Sequence, residues 1–310
     1  MPAGFGFIVR IVISGGRTHI SPRDLAAAVD VSESSLKRWA DSGRLKVVRT
    51  AGGHRRIPIS EAIRFVREAG MRVVDPGRIG LPNVGPTDPG IEAPREEDLE
   101  ALFRAHRGRD AATLLVRAFL GGVPVAQLCD GPIRGALQRI GRLYETDDEG
   151  IAIEHGAVDA CIQGLNTIRQ TLAPGPENAP VAVGGAASGD PYILPSLSVA
   201  AVLEEVGFRA INTGPHTPLE ALRGTVRREG AAIVWRSYSI RPSARELANE
   251  RALLAELEAE NGCEIVLGGR YARLLSGQEG GRIQSFGTLL ELSGFARAAL
   301  DRTTRLVANG

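Results

Sequence analysis

From residue 181 onward the chain alternates between two hydrophobic periods. Short apolar runs at 181–185, 209–213, 231–235 and 264–267 are separated by stretches with helical spacing at 196–206, 218–229 and 242–261. Short continuous apolar runs belong to strands covered on both faces. Strands of this kind pair in parallel, because each intervening helix carries the chain back to the same end of the sheet. The rhythm predicts a Rossmann-like α/β domain over 175–310, with a parallel sheet and a ligand-binding rim at the carboxyl ends of its strands.

Upstream the pattern is helical. Leu99, Leu102 and Phe103, then Leu114, Leu115, Ala118 and Phe119, then Ile133, Leu137 and Ile140 recur at spacings of three and four. Residues 95–174 are long enough for a four-helix bundle. The segment Ala173 to Pro180, with three prolines and a glycine, separates bundle from sheet. A second break, rich in proline and glycine, spans 71–94 and reads as a linker, leaving 1–70 as an N-terminal domain. The chain is thus expected to be a multidomain α+β protein.

Charge is divided along the same lines. Residues 1–70 hold 12 Lys/Arg against 6 Asp/Glu, whereas the remainder holds 25 against 30. A local excess of cations is what phosphate neutralisation requires, even in a chain whose net charge is +1. The N-terminal sequence supplies the matching geometry. Ser21 and Pro22 open a first short helix, Asp30 to Ser32 turn the chain, and a second helix follows over Glu33 to Asp41. On this second helix Ser34, Ser35, Lys37 and Arg38 offer small polar and basic groups, while Leu36 and Trp39 anchor the opposite face. A helix that enters the major groove needs that distribution. Val47 to Ile57 then reads as a hairpin turning at Gly52-Gly53, with Arg49, Arg55 and Arg56 along it and His54 at its turn. The expected module is a winged helix-turn-helix bound to double-stranded DNA.

The runs Ser-Ser-Leu-Lys-Arg-Trp-Ala-Asp-Ser-Gly-Arg-Leu and Arg-Thr-Ala-Gly-Gly-His-Arg-Arg-Ile resemble the DNA-binding domain of the MerR superfamily, near its excisionase-like and BldC-like branch. The whole succession of winged helix-turn-helix, bundle and Rossmann-like domain resembles light-sensing repressors of the CarH and LitR type. That resemblance implies a cobalamin-binding-like sensor held between bundle and Rossmann-like domain. It places Tyr144, Glu145, Glu154 and His155 where the family has its bundle motif, and His216 in the loop after the second strand. It also places Ser237 at the family's Ser-x-Leu serine and Gly268-Gly269 at its final glycine pair. Where the family has Asp-x-His-x-x-Gly, this chain has Asp190-Pro191-Tyr192-Ile193-Leu194-Pro195, so the cobalt-ligating histidine is replaced by Tyr192. The cofactor therefore stays open among cobalamin, haem, a bilin and none. Tyr192, His155 and His216 are the candidate metal ligands.

The sequence carries no Gly-x-Ser-x-Gly, Walker A or His-Glu-x-x-His motif, which argues against an enzyme. Its expected role is a transcriptional regulator, homodimeric or tetrameric, that controls operator binding in response to a tetrapyrrole ligand. The alternative is a cofactor-free regulator whose degenerate pocket has become a protein-interaction surface. Three cysteines without Cys-x-x-Cys spacing and no membrane-spanning segment fit a reducing cytoplasm.

Overall fold

The computed structural model describes residues 17–144, 148–173, 175, 178–275 and 282–308, which divide into two compact units, Met1–Pro89 and Gly90–Gly310. The first unit contains β1 (His19–Ile20), α1 (Pro22–Ala28), α2 (Glu33–Asp41), β2 (Val48–Arg49), β3 (Arg55–Pro58) and α3 (Ile59–Glu68). Helix α1 begins with a reciprocal cap: Ser21 Oγ accepts from the Asp24 N–H at 3.1 Å, and Asp24 Oδ2 accepts from the Ser21 N–H at 3.2 Å. The hydrogen bond from the Ser21 hydroxyl also holds the Asp24 carboxyl below its usual value. Ser32 caps α2 by accepting from the Ser35 N–H. The strands form an antiparallel sheet of order β1-β3-β2, with Arg49 opposite Arg55 and Val48 opposite Arg56. Leu25, Leu36, Ile57, Ile63 and Val66 form the core, and Trp39 packs tilted against Phe65 at 5.3 Å between ring centroids.

Residues 71–89 correct the expected linker, because they are part of this unit. Val73, Ile79, Leu81 and Val84 are buried, Val73 pairs with Thr87, and Pro76–Ile79 form a 3-10 turn. The prolines and glycines shape a folded crossing here because apolar residues stand between them, and their burial offsets the cost of ordering the chain.

The second unit opens with α4 (Glu96–Arg104), α5 (Gly108–Leu120), α6 (Val125–Leu128), α7 (Arg134–Tyr144) and α8 (Asp148–Thr171). A π-helical segment, Cys129–Ile133, joins α6 to α7 without a loop and contains Pro132. Proline has no N–H for the helical ladder, and a widened turn accommodates the missing bond. The parallel sheet follows: β4 (Val181–Ala186), α9 (Ile193–Val206), β5 (Arg209–Asn212), α10 (Leu219–Glu229), β6 (Ile233–Ser237), α11 (Ala244–Asn261), β7 (Glu264–Gly268), β8 (Ile283–Ser285) and α12 (Leu289–Ala308). All its pairings are parallel, in the order β5-β4-β6-β7-β8. The expected parallel α/β arrangement is present. Strand β8 and helix α12 extend it beyond the elements read from the sequence.

Val183, Val234 and Ile265 of the sheet pack in one core with Leu222 and Val226 of α10 and with Leu254 and Leu257 of α11. On β6, Trp235 donates its indole N–H to Ser196 Oγ of α9 at 3.0 Å. The indole lies so close over β4 that a Cβ on Gly184 would stand 2.1 Å from Trp235 Cδ2. Helices and sheet form one compact unit. Arg169 of α8 holds Glu204 of α9 through two bonds of 2.6 and 2.7 Å, and Glu205 accepts from the Val125 N–H at 2.8 Å. Among the described residues no helix is long and apolar enough to cross a membrane.

Candidate functional site

Two regions collect polar side chains with the geometry of a binding surface. The first is formed by α2 and the β2–β3 hairpin. Ser34, Lys37, Arg38, Arg49, His54 and Arg56 are exposed there, while Leu36 is buried beneath them. Ser35 is half-buried and tied into the cap, with its hydroxyl 3.0 Å from that of Ser32 and accepting from Arg38 at 3.2 Å. Among the described residues Lys37, Arg38, Arg49 and Arg56 make no ion pair. Arg55 differs: its guanidinium donates to Asp41 at 2.5 Å, and only 20% of its side chain is exposed. Residues i and i+2 share a face of a strand, so Arg55 points with buried Ile57 toward α2, and Arg56 points away. Arg55 therefore braces the hairpin against α2, which corrects its placement among the free wing cations. Gly53, at φ +77°, allows the tight reversal, closed by its N–H to the Thr50 carbonyl at 2.8 Å.

The second region is a cavity of about 600 Å3 in the second unit, where the carboxyl ends of β6, β7 and β8 meet the π-helical segment, α7 and α9. Its floor is largely apolar, with Ile133, Leu137, Leu194, Val199, Val266 and Phe286 among its residues. Ser237, at the last position of β6, lines it and is buried, and its Oγ has no hydrogen-bond partner among the described residues. A buried hydroxyl without a partner is costly, and a cavity wall is where an incoming ligand can satisfy it. Gly268 and Gly269 line the same wall. A Cβ on Gly268 would meet no atom within 4 Å, and a Cβ on Gly269, at φ +94°, would stand 2.6 Å from the Tyr238 carbonyl oxygen. Arg134, Arg270 and Arg273 also line the cavity, with Asp130 as the lining carboxylate. Both Asp130 oxygens are engaged, accepting from the Leu289 N–H at 3.0 Å and the Leu290 N–H at 2.8 Å at the start of α12.

The residues assigned to a cofactor by resemblance separate into three groups. Ser237, Gly268 and Gly269 come together in the cavity wall. Glu154, His155, Tyr192 and His216 do not line it. His155 stands on an exposed face of α8 beside Glu154 at 3.7 Å, Tyr192 precedes α9 with 52% of its surface exposed, and exposed His216 donates its backbone N–H to the Asp190 carbonyl. Tyr144 ends α7 and Glu145 follows it; the Tyr144 side chain and the whole of Glu145 lie outside the described residues. All five histidines of the chain are exposed, and none lines the cavity. Tyr192, His155 and His216 are thus not brought to the cavity as metal ligands. A cobalamin or haem held through a protein imidazole does not fit this wall.

Other buried polar groups explain how the wall is kept in place. Asp190 is fully buried, and its Oδ2 accepts from the Ser239 N–H at 2.6 Å, joining the loops after β4 and β6. Arg236 of β6 has no exposed side-chain surface. It donates to the Ala186 and Thr217 carbonyls at 3.2 and 2.8 Å and to Glu250 at 2.7 Å, and Tyr238 donates its hydroxyl to the same carboxylate at 2.9 Å. One guanidinium thereby ties three strand-end segments to α11. Burial pushes the Cys129 thiol up to about 12 against a partly opposing hydrogen bond with Ser198, so the thiol lining the cavity stays protonated.

The lining residues that sequence reading missed are Cys129, Arg134, Arg270, Arg273 and the start of α12. One signal was readable. Thr288 and Glu291 form a reciprocal helix cap, Thr-x-x-Glu, with bonds of 3.2 and 3.1 Å. The arginines had none, because Arg134 lies more than 130 residues from Arg270 and Arg273 and no local motif joins them.

No family model matches the chain, and no curated protein matches it. Among solved structures it is similar to the monomethylamine corrinoid protein of Methanosarcina barkeri, at 14% identity and a TM-score of 0.48 over 65% of this chain and 96% of that one. A cobalamin-binding protein from Desulfitobacterium hafniense DCB-2 matches at 14% identity and 0.33, covering 67% of this chain and 99% of that one. The methanol:cobalamin methyltransferase complex MtaBC from Methanosarcina barkeri matches at 16% and 0.32, covering 70% and 82%. The parallel sheet and its cavity stand on the chain's own geometry.

Proposed function

We propose that the chain is a DNA-binding transcriptional regulator of the MerR type and not an enzyme. In this reading Met1–Pro89 is a winged helix-turn-helix that places α2 in the major groove and the β2–β3 hairpin along the backbone. Gly90–Gly310 is a cobalamin-binding-like sensor whose tetrapyrrole-type ligand sets oligomeric state and operator affinity. The observation that supports DNA binding most directly is the set of exposed cations Lys37, Arg38, Arg49 and Arg56, free of ion pairs among the described residues, on a capped helix and its adjoining hairpin. The sensor reading is supported by the cavity at the strand ends, with its unpartnered Ser237 hydroxyl and its two glycines.

Anisotropy titration of the full chain on operator and random duplexes tests the DNA reading. Each phosphate contact contributes about 0.9 to the slope of log K against log salt. Arg56→Ala is expected to lower that slope by about one contact on both duplexes, while Lys37→Ala changes sequence preference by about 1–3 kcal/mol. Slopes unchanged in both Arg49→Ala and Arg56→Ala would refute the wing. A second reading, a cofactor-free regulator that docks a protein, is favoured by one observation: Tyr192, Ile193 and Ile240 are 52%, 44% and 38% exposed beside the carboxyl ends of β4 and β6.

A further inference from the structure

We infer that the cavity selects an amphipathic organic anion, a tetrapyrrole that keeps at least two free carboxylates, gripped by Arg134, Arg270 and Arg273 rather than by a bond from the protein to a metal. This rests on the reading that the cavity holds a ligand, and it names the chemistry of that ligand. The charge of the lining is the central observation. Arg134 comes from the first turn of α7, and Arg270 and Arg273 come from the segment after β7. Among the described residues none of the three guanidinium groups makes a hydrogen bond or ion pair, although the Arg134 backbone N–H is bonded to the Cys129 carbonyl.

The opposing carboxylates are committed elsewhere. Asp130 is bonded at both oxygens to the first turn of α12. Glu291, close enough to Arg273 to feel its charge, is held below its usual value chiefly by the backbone N–H groups of Gly287 and Thr288, and it does not line the cavity. All three arginines are exposed to an incoming ligand, and their guanidinium forks are matched to carboxylates. The apolar floor suits the body of a large ring, and about 600 Å3 lies within the usual range for small-molecule pockets.

Corrin side chains are amides, and a cobalamin carries a single phosphodiester charge for three guanidinium groups to meet. Porphyrins and bilins keep two propionates. The donor set of the wall points the same way: no histidine lines it, the Ser237 hydroxyl is neutral, and Asp130 is engaged. The lining thiol, Cys129, is buried and protonated, whereas three positive groups supply peripheral bonds.

The full chain in a Trp39→Phe background, where Trp235 in the cavity wall is the remaining indole, is titrated with three probes. These are metal-free protoporphyrin, its dimethyl ester in matched detergent, and hydroxocobalamin, each followed by Trp235 quenching and by the probe's visible absorbance. The free acid is expected to bind at least about 10-fold more tightly than the diester, the worth of one charge-assisted hydrogen bond. Arg134→Gln and Arg270→Gln should each weaken the acid by about that factor and leave the diester unchanged. Arg228→Gln, away from the cavity, should alter neither. Equal affinity for acid and diester, or hydroxocobalamin bound more tightly than the acid and indifferent to Arg134→Gln and Arg270→Gln, would overturn the anion inference while leaving the cavity a ligand site. If no probe changes either signal in the parent chain, the ligand-site reading itself fails, and the inference with it.

Discussion

Replacing Glu250 with Leu would strand a charge in the interior of the second unit. The Arg236 side chain has no exposed surface and that of Glu250 only 10%, and they meet at 2.7 Å. Removing one partner of such a pair leaves the other unpaired in low dielectric, which costs about 3–5 kcal/mol, whereas replacing both by apolar residues is often close to neutral. Glu250→Leu is therefore expected to destabilise the unit by about 3–5 kcal/mol. Adding Arg236→Met should recover much of that loss. Recovery stays incomplete, because Arg236 also donates to the Ala186 and Thr217 carbonyls and Tyr238 uses Glu250 as its acceptor. Of the two tryptophans, Trp235 lies next to the pair and Trp39 lies in the other unit. Urea unfolding of full-length Trp39→Phe protein thus reports the second unit through Trp235 fluorescence. With a slope of about 2 kcal/mol per molar urea, the single variant should move the midpoint down by about 1.5–2.5 M. A single-variant cost below about 1 kcal/mol, or a double variant less stable than Glu250→Leu, would refute the argument that the pair is held by mutual charge compensation.

Two further outcomes follow from burial and close packing. Burial pushes Cys129 up to about 12 and Cys263 up to about 11, and it raises Cys161 and Tyr238 as well. Above the ordinary thiol value the unfolded chain releases protons that the folded chain retains. Stability is therefore full below about pH 8.5 and falls as pH rises toward 11, by up to about 1.4 kcal/mol per pH unit for each thiol; urea midpoints at pH 8 and pH 10 check this, and equal midpoints would contradict it. Gly184→Ala places a methyl 2.1 Å from the Trp235 ring and 2.3 Å from its carbonyl oxygen, so it should cost at least about 1–3 kcal/mol and red-shift Trp235 emission.

Periodicity alone carried much of the architecture. The apolar runs at 181, 209, 231 and 264 correspond to β4 to β7, with β6 displaced to 233–237, and the helical spacings between them correspond to α9 to α11. Burial on both faces leaves a continuous apolar signature that needs no tertiary information. The two short helices and glycine hairpin of the first unit were legible for a similar reason, since caps and reversals are local hydrogen-bond and dihedral requirements. Strand β8 was not legible: Ile-Gln-Ser is three residues long, and it becomes a strand only because β7 offers an open edge.

What the sequence determined by itself, then, were the elements whose causes lie within a few residues: the capped helices α1 and α2, the reversal at Gly53, and the parallel strands with their crossover helices. Tertiary structure decided which distant residues share a surface. It folded 71–89 into the first unit through four buried apolar side chains, turned Arg55 from a free cation into a brace on Asp41, and left His155, Tyr192 and His216 outside the cavity. It also brought Arg134 to Arg270 and Arg273 across more than 130 residues of chain. Residue types and spacing record a side chain's chemistry and its local face. Its partners depend on how the helices pack on the sheet, because the energy that brings them together is burial summed over the whole unit, and no single segment encodes it.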